Sequence, residues 1–224
     1  MPKRTTHQFD VITIFPQMID AYAKESILGR AQKKGTISIK AHDLREFTSD
    51  KHHKVDDTPY GGGPGMLMKV EPIEKALKKI KKRSGVRVIM TAASGKMFTQ
   101  KDARRLAEYK QVIFICGRYE GIDARVEEYL VDESLSIGEY VLTGGELPAL
   151  TMIDAIARMV PNVLGSKESL DQESHDVEGL LEYPQYTKPE VYKKWSVPEV
   201  LLSGDHKKIA QWRKEQQMKK PRSE

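Results

Sequence analysis

The sequence has one cysteine and no long apolar run, and each absence excludes a class of protein. Cys116 stands alone among 224 residues, which excludes an internal disulfide and a cysteine-based zinc site. No stretch approaches the roughly 18 apolar residues that a membrane-spanning helix requires. The opening stretch MPKRTTHQFDVITIF has basic residues but no apolar core or cleavage site of a secretory signal. We therefore expect a soluble, cytoplasmic protein without membrane contact.

The chain also lacks repeats and low-complexity segments, and both signs of charge are abundant. Lys and Arg number 37 against 32 Asp and Glu, a formal net charge of +5. Basic residues cluster at 75–83 and in the C-terminal tail. Because such runs are more often solvated helix faces, the charge favours a polyanionic partner only weakly.

Apolar alternation predicts strands, and the amphipathic stretches between them predict helices. The predicted strands are 9–15, 36–43, 86–90 and 111–116, and the predicted helices are 17–32, 71–83, 99–109, 122–130 and 147–160. The run QVIFIC (111–116) is typical of a parallel strand buried on both faces. Alternating strands and helices predict an α/β fold with a largely parallel sheet.

The composition changes after Val160. Residues 161–189 are polar and punctuated by prolines, and we interpret them as a flexible linker. This interpretation makes 1–160 the main α/β domain and 190–224 a short helical C-terminal domain.

Glycine-rich turns occur at four places, three of them directly after predicted strands. These three are ASG (93–95), CGRYEG (116–121) and SIGEYVLTGGELP (136–148), and the fourth is YGGGPG (60–65). One glycine turn alone is more often a tight connection. Three at consecutive strand ends predict a shared small-molecule site, because ligands of open α/β sheets bind beyond the carboxyl ends of the strands.

The other residues of these turns narrow the ligand class. No turn has the dinucleotide pattern G-x-G-x-x-G with its following helix and acid, and none is a Walker A sequence. Phosphate sites favour basic residues, whereas these turns carry the acids Glu120, Asp123, Glu139 and Glu146. Acids suit a cationic ligand rich in amines and hydroxyls, a description that S-adenosylmethionine fits.

Longer motifs give the chain a resemblance to one family. TPYGGGPGM, CGRYEGID, SIGEYVLTGGELPA, LLEYPQYTKPEV and VPEVLLSGDH occur in the order seen in bacterial tRNA (guanine-N1)-methyltransferases. The resemblance implies a SPOUT-type fold, in which the C-terminal part of the sheet is threaded into a trefoil knot. It also implies S-adenosyl-L-methionine as cofactor, guanosine 37 of tRNA as substrate, and a homodimer with its active site at the subunit interface.

Carried over residue by residue, the resemblance implies a cofactor site in the glycine turns. Glycines there let backbone groups approach the adenine and ribose edges, and apolar side chains face the ring. The implied cofactor-binding residues are Thr91, Ala92, Gly95, Gly117, Tyr119, Glu120, Ile137, Gly138, Tyr140, Leu142, Gly144, Gly145 and Pro148.

Methylation of guanine N1 needs a base for the N1 proton and a cation near O6, where negative charge develops. The resemblance assigns the cation to Arg158, and Asp154, four residues earlier on the same face of a predicted helix, is included among the predicted catalytic residues. The aspartate that serves as base in the family corresponds to Glu173 here. The alternatives nearby are Asp171, His175 and Asp176.

The resemblance also implies residues that contact the tRNA, at two further places in the sequence. Asp57, Tyr60, Gly62 and Gly63 match the loop that faces guanine, and Lys188 matches a linker position that contacts tRNA. The neighbouring residues His52, His53 and Asp56 lack the spacing of a transition-metal site. Mg²⁺ assists the family, but the sequence contains no dedicated cage for it.

Two rival functions remain open on the residues alone. Methylation of pyrimidine C5 needs a cysteine nucleophile, and Cys116 is the only candidate. A tRNA-binding protein that retains a cofactor pocket without catalysis is the second, because Glu173 replaces the family's aspartate.

Overall fold

A computed structural model describes residues 7–80, 82–164 and 181–217. The chain divides into two compact units, one before and one after the boundary between Leu164 and Gly165. In the described ranges no helix is both long enough and apolar enough to cross a membrane.

The N-terminal unit is built on a five-stranded sheet. All its neighbouring strands are parallel, in the order β2-β1-β6-β5-β7. The strands are β1 (His7–Thr13), β2 (Ile37–Asp43), β5 (Val86–Met97), β6 (Gln111–Cys116) and β7 (Glu133–Ser136), and a separate antiparallel pair is β3 (Asp56–Asp57) and β4 (Leu67–Met68). The predicted α/β class with a largely parallel sheet is confirmed.

Helices cover both faces of this sheet. They are α1 (Pro16–Ala23), α2 (Ser26–Lys33), α3 (Val70–Lys79), α4 (Gln100–Leu106), α5 (Ala124–Tyr129) and α6 (Glu146–Met159), and a short 3-10 helix is Leu44–Phe47. The core on one face includes residues of α1, α2, α4 and α6, and the core on the other includes residues of α3 and α5.

Strand β6 joins the two cores, since all six of its residues are buried. Val112, Phe114 and Cys116 face one core, and Ile113 and Ile115 face the other. This alternation confirms the prediction from QVIFIC, because a strand covered on both sides is apolar at consecutive positions.

Two predicted helices differ from the structure at their ends or middle. The single helix predicted at 17–32 is two helices in the structure, α1 and α2. The second begins close to the end of the first, since a Cβ on Gly29 would lie 2.1 Å from the Lys24 carbonyl oxygen. The helix predicted at 71–83 ends earlier, because Ile80 has extended backbone angles (ψ 122°).

The C-terminal unit contains a small hairpin and two helices. They are β8 (Val191–Tyr192), β9 (Trp195–Ser196), α7 (Glu199–Leu202) and α8 (His206–Gln217). The Asp205 side chain accepts hydrogen bonds from the backbone amides of Lys207 and Lys208 and so begins α8. This helix carries part of the basic cluster of the C-terminal tail.

Asp102 anchors α4 to the sheet. It forms a capping box with Thr99, and its buried carboxylate accepts hydrogen bonds from Lys96 (2.8 Å) and Arg105 (3.1 Å). Burial alone would raise the pKa of Asp102, but the hydrogen bonds from Lys96, Thr99 and Arg105 lower it to about 2.

We expect Asp102→Asn to lower the free energy of unfolding by about 2 kcal/mol at pH 7, the value of a pKa shift of nearly two units. A carboxylate whose pKa is lowered by folding stabilises the folded state when the pH is above its unfolded-state pKa, near 3.8. This stabilisation is lost as the pH falls towards the folded-state pKa of about 2. The difference between wild type and variant in urea unfolding should therefore shrink below pH 4. Asp20→Asn, at an exposed pair with Lys24, is the control and should change stability by less than about 0.5 kcal/mol.

Candidate active site

A cavity of about 410 Å³ lies at the edge of the sheet where β6 and β7 end. Three segments form its wall: the middle of β5, the loop after β6, and the loop that leads from β7 into α6. A parallel sheet brings these carboxyl ends to one edge, so segments distant in sequence meet there.

Most of the predicted cofactor residues line this cavity. They are Thr91, Ala92, Gly117, Tyr119, Glu120, Ile137, Gly138, Tyr140, Leu142, Gly144, Gly145 and Pro148. The structure thus brings residues of β5 together with residues of two glycine-rich turns, while their contact with a cofactor stays a prediction.

The turn at 93–95 differs from the expectation. The strand predicted to end at Met90 continues as β5 to Met97, and its register with β7 shifts between Thr91 and Lys96. Gly95 does not belong to the cavity wall; a Cβ there would lie 2.7 Å from the Leu135 backbone nitrogen. The close approach of β7 explains why this position is a glycine.

Gly145 is required by packing between two loops. Its amide donates a hydrogen bond to the Gly117 carbonyl oxygen (2.9 Å), which joins the loop after β6 to the start of α6. A Cβ on Gly145 would lie 2.0 Å from Thr91 Oγ1 and 2.9 Å from the Cys116 Cα. The loops can meet this closely only with glycine at this position.

The acids of the glycine turns have different roles. Glu146 is fully buried and bonds to Arg118 and Thr13, and Asp123 caps α5 and pairs with Arg125. These two acids are satisfied by the protein, so the inference that they favour a cationic ligand was wrong for them. Glu120 does line the cavity. Glu139 is exposed and outside the wall.

The pairing of Arg118 with Glu146 was not predicted from the sequence. The Arg118 Nε donates to Glu146 Oε2 at 2.9 Å, and Thr13 Oγ1 donates to Glu146 Oε1 at 2.7 Å. The two partners of Glu146 lie 28 and 133 positions away from it in sequence. No local pattern could have joined them.

The loop predicted to face guanine adjoins the cavity. The Glu120 amide donates to the Met66 carbonyl oxygen (3.0 Å), and a Cβ on Gly65 would lie 2.3 Å from Glu120 Cγ. Tyr60 is fully exposed, and Gly62 and Gly63 have positive φ angles of 77° and 121° with open space around them.

The other predicted substrate residues are not part of the cavity wall. Asp57 is exposed on β3, and its Oδ1 accepts from the Thr58 amide at 2.8 Å. Lys188 belongs to the C-terminal unit, where it lines a second cavity of about 620 Å³ with Tyr183, Tyr186 and Trp212.

The predicted catalytic residues Asp154 and Arg158 lie on the C-terminal half of α6. Both are partly buried, and neither lines the cavity of the same chain. Asp154 Oδ2 accepts a hydrogen bond from the Tyr22 hydroxyl at 2.7 Å, and this bond raises the pKa of Tyr22. Glu173 and its alternatives Asp171, His175 and Asp176 lie outside the described residues.

The histidine-rich loop is organised by its own acid. Asp50 accepts hydrogen bonds from the backbone amides of His52 and Lys54, and His53 Nδ1 lies 3.1 Å from the Arg45 carbonyl oxygen. Among the residues that the structure describes, no three or more His, Cys, Asp or Glu side chains form a group able to hold a metal ion.

Cys116 lies at the end of β6 with no exposed surface. Burial, followed by the negative charge of Glu146, raises the pKa of its thiol well above the usual value. A cysteine nucleophile must be accessible and readily ionised. The structure therefore argues against the C5-methylating alternative.

An open parallel α/β sheet with a glycine-walled cavity at its edge defines a protein that binds a small molecule beyond its strand ends. The family model described as tRNA (Guanine-1)-methyltransferase TrmD matches residues 7–224. The chain belongs to this tRNA (guanine-1)-methyltransferase family.

Several named relatives are similar in sequence to this chain over nearly its whole length. A tRNA (guanine-N(1)-)-methyltransferase of Carboxydothermus hydrogenoformans is 52% identical over 94% of this chain and 83% of its own length. Proteins with the same name are 49% identical in Staphylococcus epidermidis (94% and 86% covered) and 46% identical in Dehalococcoides mccartyi (95% and 86% covered).

We expect Gly145→Ala to lower the free energy of unfolding by about 1–3 kcal/mol, the usual range for overpacking, because its methyl group overlaps Thr91 and backbone atoms. Gly117→Ala is the matched control, since its Cβ would come no closer than 3.4 Å to the Ile122 side chain. Urea unfolding of both variants is the measurement. Equal stability losses would contradict the packing explanation of Gly145.

Proposed function

We propose that the protein transfers the methyl group of S-adenosyl-L-methionine to N1 of guanosine 37 in tRNA. The observation that carries this proposal is the convergence of the family's cofactor positions on one cavity, in a chain that belongs to the family.

The cavity suits a ligand of this kind. Its volume of about 410 Å³ lies within the roughly 300–1,000 Å³ typical of small-molecule sites. Ile137, Leu142 and Pro148 offer apolar surface to an adenine ring, and Glu120 offers a negative charge to an ammonium or sulfonium group. The bound cofactor supplies an activated methyl group; the protein supplies orientation and proton transfer.

The proton and the developing charge need two further groups. We assign removal of the N1 proton to Glu173, and stabilisation of the negative charge on guanine O6 to Arg158, whose neighbour Asp154 holds the Tyr22 hydroxyl. Asp57, Tyr60, Gly62, Gly63 and Lys188 are proposed to contact the tRNA. The alternative, a non-catalytic tRNA-binding protein, has only the exchange of aspartate for glutamate in its favour.

The position of these groups supports the proposal of a homodimer. Arg158 and Asp154 do not line the cavity of their own chain, so we propose that a second copy brings its cavity to them. Met18 and Tyr22 of α1 and Leu147 of α6 are exposed by 37%, 49% and 54%. Such apolar groups on neighbouring helices are suited to an interface.

The remaining features belong to the same proposal. We propose that the loops around the cavity form the trefoil knot of the SPOUT class and that 1–160, 161–189 and 190–224 act as catalytic domain, linker and tRNA-binding domain. The cytoplasm is the proposed location, where tRNA is available. Mg²⁺ would assist without a dedicated cage of protein ligands.

Incubation with methyl-labelled S-adenosylmethionine and unmodified tRNA should yield 1-methylguanosine at position 37. A transcript with adenosine at position 37 should incorporate no label, because adenine offers no N1 proton and no O6 to the site. Nucleoside mapping by mass spectrometry is the measurement, and transcripts with G or A at position 36 test the neighbouring base. Cofactor binding without 1-methylguanosine would support the non-catalytic alternative.

Glu173→Gln should lower kcat by about a hundredfold or more, the usual contribution of a general base, since an amide cannot accept the proton. The KM for S-adenosylmethionine should change less than about threefold, because a general base acts on the guanine proton and not on the cofactor. Glu173→Asp, which restores the family's residue, and Cys116→Ala are controls that should retain turnover. A kcat unaffected by Glu173→Gln would move the role of base to Asp171, His175 or Asp176.

A further inference from the structure

Three segments of the N-terminal unit meet at one buried carboxylate. Glu146, the first residue of α6, has no exposed surface, and it accepts hydrogen bonds from Thr13 at the end of β1 and Arg118 in the loop after β6. Thr13 is itself fully buried, and the Arg118 side chain is 17% exposed. Each oxygen of the carboxylate thus has a partner from a different segment.

Arg118 extends this connection to the loop on the other side of the cavity. Its Nη1 donates to the Thr143 carbonyl oxygen at 3.0 Å, and its guanidinium lies 4.7 Å from the centre of the Phe15 ring. The side chain passes over Gly144, where a Cβ would lie 2.1 Å from Arg118 Nε. Arg118 therefore joins the loop after β6 to residues 143–146.

The energetics make the pair interdependent. A carboxylate without exposed surface is unfavourable unless it is both paired and hydrogen-bonded, so loss of Arg118 leaves an uncompensated charge. Loss of Glu146 leaves Arg118 without the partner that orients its guanidinium. Arg118 contributes to the cavity wall, whereas Glu146 lies behind it.

We propose that Arg118 and Glu146 are positioning residues that hold the loop of Thr143–Gly145 against Gly117, and that this preformed wall sets the affinity for the cofactor. The inference rests on the proposed function for its ligand, S-adenosylmethionine. The hydrogen bond between Gly145 and Gly117 allows the position of this loop to be followed without any ligand. Cofactor binding then does not have to order the loop, so the free-energy cost of that ordering does not weaken the affinity.

The test compares Glu146→Gln, Arg118→Gln and the double variant with wild type, by calorimetric titration with S-adenosylmethionine and by methyl-transfer kinetics. Each single variant should raise the Kd and KM for S-adenosylmethionine by about tenfold or more, with kcat at saturation within about threefold of wild type. The double variant should bind at least about fivefold more tightly than the product of the two single effects predicts, because it leaves no unpaired buried charge.

Glu133→Gln is the matched control. Glu133 pairs with Arg105 (2.8 Å) and Arg87 (2.9 Å) in the same unit but does not line the cavity. It should lower the Tm while leaving the Kd within about twofold of wild type. If Glu146→Gln lowers the Tm similarly and also leaves the Kd unchanged, the pair is only structural and the proposal is overturned.

A ligand-free readout separates this proposal from the proposed function. Hydrogen exchange of the peptide that contains Gly145 should be at least about tenfold faster in Glu146→Gln than in wild type, and unchanged in Glu133→Gln. If wild type failed to methylate tRNA, the exchange result would still decide the inference. Arg118→Lys keeps the charge but loses the fork of donors, and it replaces Glu146→Gln should that variant not fold. Unchanged exchange in the variant used would overturn the proposal.

Discussion

The site depends on the close approach of two loops at the edge of a parallel sheet. The Gly145 amide meets the Gly117 carbonyl oxygen at 2.9 Å, and this contact is possible because Gly145 has no side chain, since a Cβ there would overlap Thr91 and backbone atoms. It places the start of α6 directly beside the end of β6. Both glycines belong to the cavity wall, and the buried carboxylate of Glu146 belongs to the next residue of the chain, where α6 begins.

Pairing with arginines divides the acids of the site into two groups. Glu146 and Asp123 neutralise arginines of the protein itself, whereas Glu120 remains at the cavity. The first group stabilises loop positions; the second can act on a ligand. A count of acids in the sequence does not separate these groups, since the difference lies in whether an arginine of the protein reaches the carboxylate. Arg125 is two positions from Asp123, whereas Arg118 is 28 positions from Glu146.

Much of the fold was predictable because its signals are local. Five consecutive apolar residues at 112–116 predict a central strand, and the alternation of strand and helix patterns predicts the α/β class. The break between α1 and α2 and the extension of β5 to Met97 were not predictable. The register shift between Thr91 and Lys96 depends on pairing with β7, which lies about forty residues further along the chain.

The sequence by itself determined the class of fold through its periodicity, and the family and many of the residues that wall the cavity through motifs that resemble one family, because periodicity and motifs are properties of neighbouring positions. Only the tertiary structure decided how those residues are used. It assigned Gly95 to packing against β7, joined Arg118 to Glu146, and set Arg158 outside the cavity of its own chain. These outcomes depend on distances between segments that are remote in sequence, and such distances exist only after the strands have paired.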